Sequence, residues 1–199
     1  MELTDVIAAR RSIRKFKPDP LPEHMVTELL EAARLAPSAT NIQPWRFAVV
    51  RSADVRRKVQ DCCHGLRFPA TAPVIFVAMA DPRTLETRAA RMQELAATGA
   101  FTDTGLEDSA YGNRRLDENL ARSLLYLNVA IAVEHLVLRA TDLGLGSCWI
   151  RMFDEARLKS VLSVPEHFLV VALVPVGYPG QQPPGRPRLS RDDVVWRTF

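Results

Sequence analysis

Residues 118–150 read ENLARSLLYLNVAIAVEHLVLRATDLGLGSCWI, and this stretch decides the fold. Over 118–141 the apolar residues lie almost all round a helix, which predicts a helix in the centre of the domain. The glycines at 144 and 146 are typical of a helix C-cap. The three residues that follow, 148–150, are predicted to form a strand. The Gly-Leu-Gly turn runs from helix to strand and therefore differs from a dinucleotide-binding fingerprint.

Shorter elements surround this helix. Apolar runs predict strands over 47–50, 73–80 and 168–176, and helical spacing predicts helices over 2–10, 23–35, 53–62 and 154–162. Residues 83–116 combine helical spacing with scattered glycines, which indicates a partly helical excursion that we expect to act as a lid. Residues 181–188 are rich in Pro, Gly and Arg and indicate an extended linker. The order of elements predicts an α+β domain.

Length and composition bound the class of protein. With 199 residues, 47% apolar and 25% charged, the chain suits a single domain and is neither disordered nor a disulfide scaffold. No apolar run reaches the roughly 18 residues of a membrane helix, and the longest, around residues 168–177, is about half that length. The first five residues are acidic where a signal peptide is basic. We therefore expect a cytoplasmic protein with no membrane partner.

Positive charge is small in amount but unevenly placed. The net charge is +3, with one basic cluster at residues 10–17 and another in the tail, at Arg186, Arg188, Arg191 and Arg197. Clusters of this kind indicate an anionic ligand or a solvated surface. A nucleic-acid partner is not expected, because the basic runs lack interleaved aromatic residues.

Two segments could bind a ligand. The first reads Arg10-Arg11-Ser12-Ile13-Arg14, and its guanidiniums and hydroxyl could hold a phosphate, although a solvated basic turn has the same composition. The second reads Pro37-Ser38-Ala39-Thr40-Asn41-Ile42-Gln43. Its amides offer donors and acceptors that suit a heterocycle, although a capped loop is the alternative.

Side-chain chemistry is otherwise weak. The cysteines at 62, 63 and 148 and the four histidines lack metal-ligand spacing, so we predict no metal site. There is no phosphate-binding lysine loop and no nucleophile elbow. Because no set of side chains could perform hard chemistry unaided, an organic cofactor is expected, and no side chain is assigned as catalytic.

Taken together, four blocks resemble the FMN-dependent nitroreductase family. They are the segment from Arg10 to Phe16, the segment from Ala36 to Phe47, the helix with Tyr126-Leu127-Asn128 that runs into residues 143–150, and Val174-Pro175-Val176-Gly177-Tyr178-Pro179 followed by Arg186-Pro187-Arg188. Their order covers nearly the whole chain. The chain departs from many relatives at Ala39-Thr40, where a Gly-Gly pair is common, and at Arg151-Met152, where Gly is common.

The resemblance implies a mostly antiparallel sheet flanked by helices, and a homodimer with FMN at the subunit interface. It implies that residues 1–199 form one FMN-binding domain with a C-terminal extension over 181–199. The residues implied to bind FMN are Arg10, Arg11, Ser12, Ile13, Arg14, Pro37, Ser38, Asn41, Gln43, Trp149, Ile150, Arg151, Arg186 and Arg188. Arg14 is expected to stabilise negative charge on the reduced ring.

The implied activity is a ping-pong reaction in which NADH or NADPH supplies two electrons that reduce a nitroaromatic, a quinone or a similar electron-poor acceptor. Two alternatives stay open: a specialised relative (a dehalogenase, a dehydrogenase or a flavin-consuming enzyme), and a flavin- or anion-binding protein without turnover. The physiological acceptor and the preferred nicotinamide are not predicted.

Overall fold

The computed structural model describes residues 1–104, 106 and 116–199. Its α-helices are α1 (Leu3–Ala9), α2 (Glu23–Arg34), α3 (Ala53–Asp61), α4 (Arg88–Ala97), α5 (Glu118–Asp142), α6 (Glu155–Leu162) and α7 (Arg191–Val194). Its strands are β1 (Trp45–Val50), β2 (Val74–Ala80), β3 (Gly146–Ser147) and β4 (Leu169–Gly177). Short 3-10 turns at Ala39–Asn41, Pro69–Thr71 and Pro82–Thr87 complete the described elements.

The four strands form one antiparallel sheet in the order β1-β2-β4-β3. The central strands β2 and β4 are apolar throughout, because helices cover both faces of the sheet. On one face, α2 and α5 pack against side chains such as Phe76 and Val174. On the other face, α3 and α6 pack against side chains such as Ile75 and Leu173. The predicted α+β class is confirmed.

Helix α5 is the central core helix, as predicted. Asp117 caps its start by accepting a hydrogen bond from the Leu120 amide at 2.9 Å. Its end is a Schellman motif, in which the amides of Gly144 and Leu145 donate to Thr141 and Ala140. By length and composition its 25 residues could cross a membrane, but within the domain they pack against α2 and the sheet. The apolar side chains of α5 that face α2 and the sheet therefore belong to the core.

One prediction needs correction. The strand predicted at 148–150 lies at Gly146–Ser147 instead, and Ile150 pairs with Leu173 only through an isolated bridge. The apolar residues 148–150 reflect burial beside β4, not a continuous ladder. The C-terminal extension contains the short helix α7, and Ser190 and Asp193 form a capping box at its start. Within the excursion at 83–116, α4 is confirmed, whereas residues 105 and 107–115 lie outside the described part of the chain.

Candidate functional site

The arginine segment at residues 10–14 lies against β3, far from it in sequence. Ser12 and Ser147 form a parallel bridge, and the amide of Ile13 donates to the Ser147 carbonyl at 2.8 Å. Gly146 makes this approach possible, since a Cβ built there would lie 2.7 Å from Cγ1 of Ile13. The segment follows α1 directly, so the first helix delivers it to the edge of the sheet.

The positive charges of the arginine segment act on Cys148, the residue that directly follows β3. Burial raises the pKa of the Cys148 thiol, while the positive charges of Arg14 and Arg10 and a hydrogen bond with Ser12 oppose that rise. Arg14 also lines a cavity of about 160 Å³ with Trp149, Ile150 and Arg151. The structure thus brings together two predicted groups, residues 10–14 and 149–151.

Arg11 points toward the C-terminal segment. It lines a cavity of about 310 Å³ together with Gln181, Gln182 and Pro183. A Cβ built on Gly185 would lie 3.1 Å from Nη2 of Arg11, so the two residues are close neighbours. The side chains of Arg186 and Arg188 are exposed, and neither lines the cavity of Arg11 or the cavity of Arg14.

The loop that precedes β1 forms a separate site. Pro37, Ser38 and Asn41 line a cavity of about 450 Å³, and its opposite wall consists of the apolar side chains Met92, Leu95, Phe101 and Leu106. Inside the loop, Ser38 Oγ accepts a hydrogen bond from the amide of Gln43 at 3.0 Å. The side-chain amide of Gln43 donates to Asn41 Oδ1 at 3.0 Å. The polar groups of the loop therefore partly satisfy one another.

Asn128, which the sequence alone did not indicate as a site residue, anchors this loop to α5. Its Oδ1 accepts a hydrogen bond from the Ala39 amide at 2.9 Å, and its Nδ2 donates to the Leu124 carbonyl at 2.8 Å. The side chain is buried, and an amide in an apolar helix face needs such partners. A lone asparagine in the apolar stretch 124–133 was the available signal.

Trp149 is held by the same helix. Its indole Nε1 donates to a Glu134 carboxylate oxygen at 3.2 Å. The three cysteines are buried free thiols, and burial raises the pKa of Cys63 to about 12. Within residues 1–104, 106 and 116–199, no group of three His, Cys, Asp or Glu side chains is arranged to hold a metal ion.

Comparison with known proteins agrees with this geometry. The profile of the nitroreductase family matches residues 7–178. The chain belongs to the nitroreductase family. The match runs from α1 to just beyond β4, so it contains the arginine segment, the loop before β1 and residues 149–151. The tail with Arg186 and Arg188 lies outside the matched residues.

Three proteins illustrate what this chain is similar to. A Thermus thermophilus protein named NADH dehydrogenase is 34% identical over 192 residues, which cover 94% of this chain and 92% of that protein. A 5,6-dimethylbenzimidazole synthase from Rhodospirillum rubrum is 31% identical over 185 residues, covering 92% and 83%. A protein from Exiguobacterium sibiricum, solved in complex with FMN, has a TM-score of 0.83 at 18% identity and covers 99% and 98%, which shows the shared fold.

Proposed function

We propose that this nitroreductase binds FMN and uses NADH or NADPH to reduce nitroaromatics, quinones or similar electron-poor acceptors by a ping-pong mechanism. The observation that carries the proposal is the docking of the arginine segment against β3, beside residues 148–151. It puts the cationic side chain of Arg14 at the lining of a cavity that Trp149, Ile150 and Arg151 share. The FMN-bound relative with the same fold supports the choice of cofactor.

The donor set fits the phosphate of FMN. In the described part of the chain, Arg10, Arg14 and Arg186 have no carboxylate partner. Arginines on the helix surfaces differ, because Arg34 and Arg57 each pair with an acidic residue three positions away. Guanidiniums without a carboxylate partner, such as those of Arg10 and Arg14 in one short segment, favour a bound anion, and a phosphate accepts their bidentate hydrogen bonds.

Each group has a proposed task. Arg10, Arg11, Ser12, Ile13, Arg186 and Arg188 would hold the phosphate and its neighbouring polar groups, and the backbone of Trp149, Ile150 and Arg151 would face the ring. Arg14 would place a fixed positive charge at the edge of the ring, where it stabilises negative charge. When bound, FMN supplies the chemistry, since it takes two electrons from NAD(P)H and gives them to the acceptor.

The remaining FMN ligands are proposed to come from a second copy of the chain. The loop before β1 contains Pro37, Ser38, Asn41 and Gln43. The cavity beside this loop shares no lining residue with the cavity that Arg14 lines. Two protomers could combine these half-sites. Exposed apolar side chains support an interface, namely Leu120 and Leu127 on α5 and Trp196 and Phe199 in the tail.

We further propose that residues 1–199 act as one FMN-binding domain and that residues 83–116 form a lid over the acceptor. The support is the apolar wall that Met92, Leu95 and Phe101 give to the cavity of the 37–43 loop. Such a wall suits an aromatic acceptor. A specialised reaction remains the second candidate, since the Rhodospirillum rubrum relative is named as a synthase.

The decisive experiment is spectroscopic. We expect the purified protein to be yellow, or to become yellow with added FMN, and to be bleached by NADH or NADPH without oxygen. Reoxidation by a nitroaromatic or a quinone should restore the colour. Colourless protein that takes up no FMN would overturn the cofactor assignment. Yellow protein that neither nicotinamide bleaches would overturn the proposed reductant.

The phosphate ligands can be tested separately. Removing a charge-assisted hydrogen bond costs about 1.5–3 kcal/mol, so Arg10→Ala and Arg186→Ala should each weaken FMN binding by about tenfold or more. FMN affinity is measured by flavin fluorescence, and folding by circular dichroism. Arg57→Ala, on exposed α3, is the matched control. Wild-type FMN affinity in both folded variants would refute the phosphate assignment.

A further inference from the structure

We propose that Arg122 and Arg151, whose guanidinium groups both contact the ring of Tyr126, bind a carboxylate or phosphate group of a small-molecule substrate. The inference rests on the proposed function, because it places this anionic group at the rim of the cavity that would receive the flavin ring. It narrows the acceptors to electron-poor aromatics that carry a negative charge, or assigns the site to the phosphates of the nicotinamide dinucleotide.

Tyr126 brings the two guanidiniums together. The Cζ of Arg122 lies 5.1 Å from the centroid of the Tyr126 ring, and the Cζ of Arg151 lies 5.3 Å from it. Arg122 also donates a hydrogen bond from Nη2 to the Tyr126 hydroxyl at 2.8 Å. The two distances from a guanidinium carbon to the ring centroid are within the range of cation–π attraction. The two cations are therefore no farther apart than the sum of these two distances.

Arg151 is fixed in place on its other side. Its Nη1 donates to the Val170 carbonyl at 3.2 Å and also to the Val171 carbonyl, and its Cζ lies 5.7 Å from the centroid of the Phe153 ring. These contacts use one of the nitrogens and leave the others for a ligand. A cation that is held before the ligand arrives binds an anion at a lower entropic cost.

Among the described residues, no acidic side chain pairs with Arg122 or Arg151. The acids nearest to Arg151 in sequence are engaged elsewhere: Asp154 accepts from the Arg157 amide at 3.0 Å, and Glu155 accepts from the Val170 amide at 2.9 Å. Two cations separated by about a Debye length or less repel each other, and a bound anion removes that repulsion.

The pair also lies beside the proposed reaction site. Arg151 lines the cavity of about 160 Å³ with Arg14, Trp149 and Met152. An aromatic acceptor in this region can stack while its charged substituent points toward Arg122 and Arg151. Because a guanidinium offers a planar fork of donors, a carboxylate or a phosphate is the group that it recognises best.

The test compares two acceptors that differ mainly in charge, 4-nitrobenzoate and 4-nitrobenzyl alcohol. We expect the wild-type holoenzyme to have the higher kcat/KM with 4-nitrobenzoate. In Arg122→Gln and Arg151→Gln the ratio of the two kcat/KM values should fall about tenfold, as expected for the loss of a hydrogen bond to a charged group. Arg57→Gln, on α3, should leave the ratio unchanged.

Calorimetry provides a readout that does not depend on turnover. Benzoate should bind the wild-type protein more tightly than benzyl alcohol does, and the difference should shrink in Arg122→Gln. This variant changes an exposed side chain, so its folding is not in question even if Arg151→Gln proves unstable. Equal binding of the two probes, an acceptor ratio near one, and anaerobic reduction by NADH and NADPH that Arg122→Gln leaves unchanged would together overturn the proposal.

A second arm distinguishes the source of the anion. If the dinucleotide phosphates occupy the site, Arg122→Gln should slow anaerobic reduction by NADPH or NADH, while the acceptor ratio stays constant. That result would support the anion site and assign it to the reductant. Failure of the proposed function is separate, because it is read from missing flavin absorbance or missing bleaching, whereas benzoate binding is measured on the same protein by heat.

Discussion

Three non-glycine residues in the loop before β1 adopt left-handed backbone, with φ values of 48° at Thr40, 52° at Asn41 and 44° at Gln43. Asparagine tolerates this region, but a β-branched threonine is an outlier there. Each such residue costs of order 1–3 kcal/mol and persists only when its surroundings hold it. Asn128 and Ser38 supply that support through their hydrogen bonds to Ala39 and Gln43.

Replacing Thr40 by glycine should therefore stabilise the protein. Glycine adopts positive φ without the steric cost, although it loses more entropy on folding, so we expect Thr40→Gly to raise the free energy of unfolding by up to about 1 kcal/mol. The measurement is thermal and urea unfolding. Thr27→Gly, inside α2, is the control and should be destabilising, because glycine is a poor helix former. A less stable Thr40→Gly would contradict the strain argument.

At the scale of elements, the contact between the arginine segment and β3 builds the proposed phosphate site. This contact requires glycine at position 146, since a Cβ on Gly146 would lie within 2.9 Å of three atoms of Ile13. Distances below 3.0 Å force one of the two segments to move. The arginine segment is held there by few backbone hydrogen bonds, so it is the part expected to shift.

Gly146→Ala should consequently weaken FMN binding more than it weakens the fold. We expect about a tenfold increase in the FMN dissociation constant, since a small displacement removes about one charge-assisted hydrogen bond. Gly144→Ala is the matched control: it has φ of 72° but no atom within 4 Å of the added Cβ. It should cost about 1 kcal/mol of stability and leave FMN affinity unchanged. Equal FMN affinity in both variants would show that the contact does not position the arginines.

At the scale of the whole molecule, the described chain leaves several apolar side chains exposed to solvent. Leu120 and Leu127 stand seven residues apart on α5 and therefore share a face of the helix. Leu127 is 60% exposed, and in the tail Trp196 is 87% exposed. Exposed apolar groups in these numbers are typical of an interaction surface. The proposed homodimer would bury them.

Leu127→Glu tests the assembly. A carboxylate at the interface would lose its hydration without a partner, so we expect a monomer by light scattering and loss of bound FMN, with helical circular dichroism retained. Ala53→Glu introduces the same charge at an exposed position of α3. Because α3 packs on the face of the sheet opposite to α5, this variant should leave the assembly intact. A dimeric Leu127→Glu that keeps its FMN would argue against an interface along α5.

The local sequence pattern was sufficient to predict those elements that are apolar on every side. The apolar surface of α5 and the unbroken apolar runs of β2 and β4 predicted a central helix and two covered strands, because a segment that is apolar on all sides has to be enclosed. Glycine chemistry predicted the end of α5. The pattern failed at 148–150, where burial came from packing beside β4 and not from strand pairing.

The sequence by itself determined the α+β class, the core helix and the two polar segments that could bind a ligand, because these depend on periodicity and side-chain chemistry. Only the tertiary structure decided which segments meet. It joined residues 10–14 to β3, tied the loop before β1 to Asn128 and gathered Arg122 and Arg151 around Tyr126. The physical reason is that such contacts depend on steric room, as at Gly146, and on hydrogen bonds between residues more than 80 positions apart, as between Ala39 and Asn128.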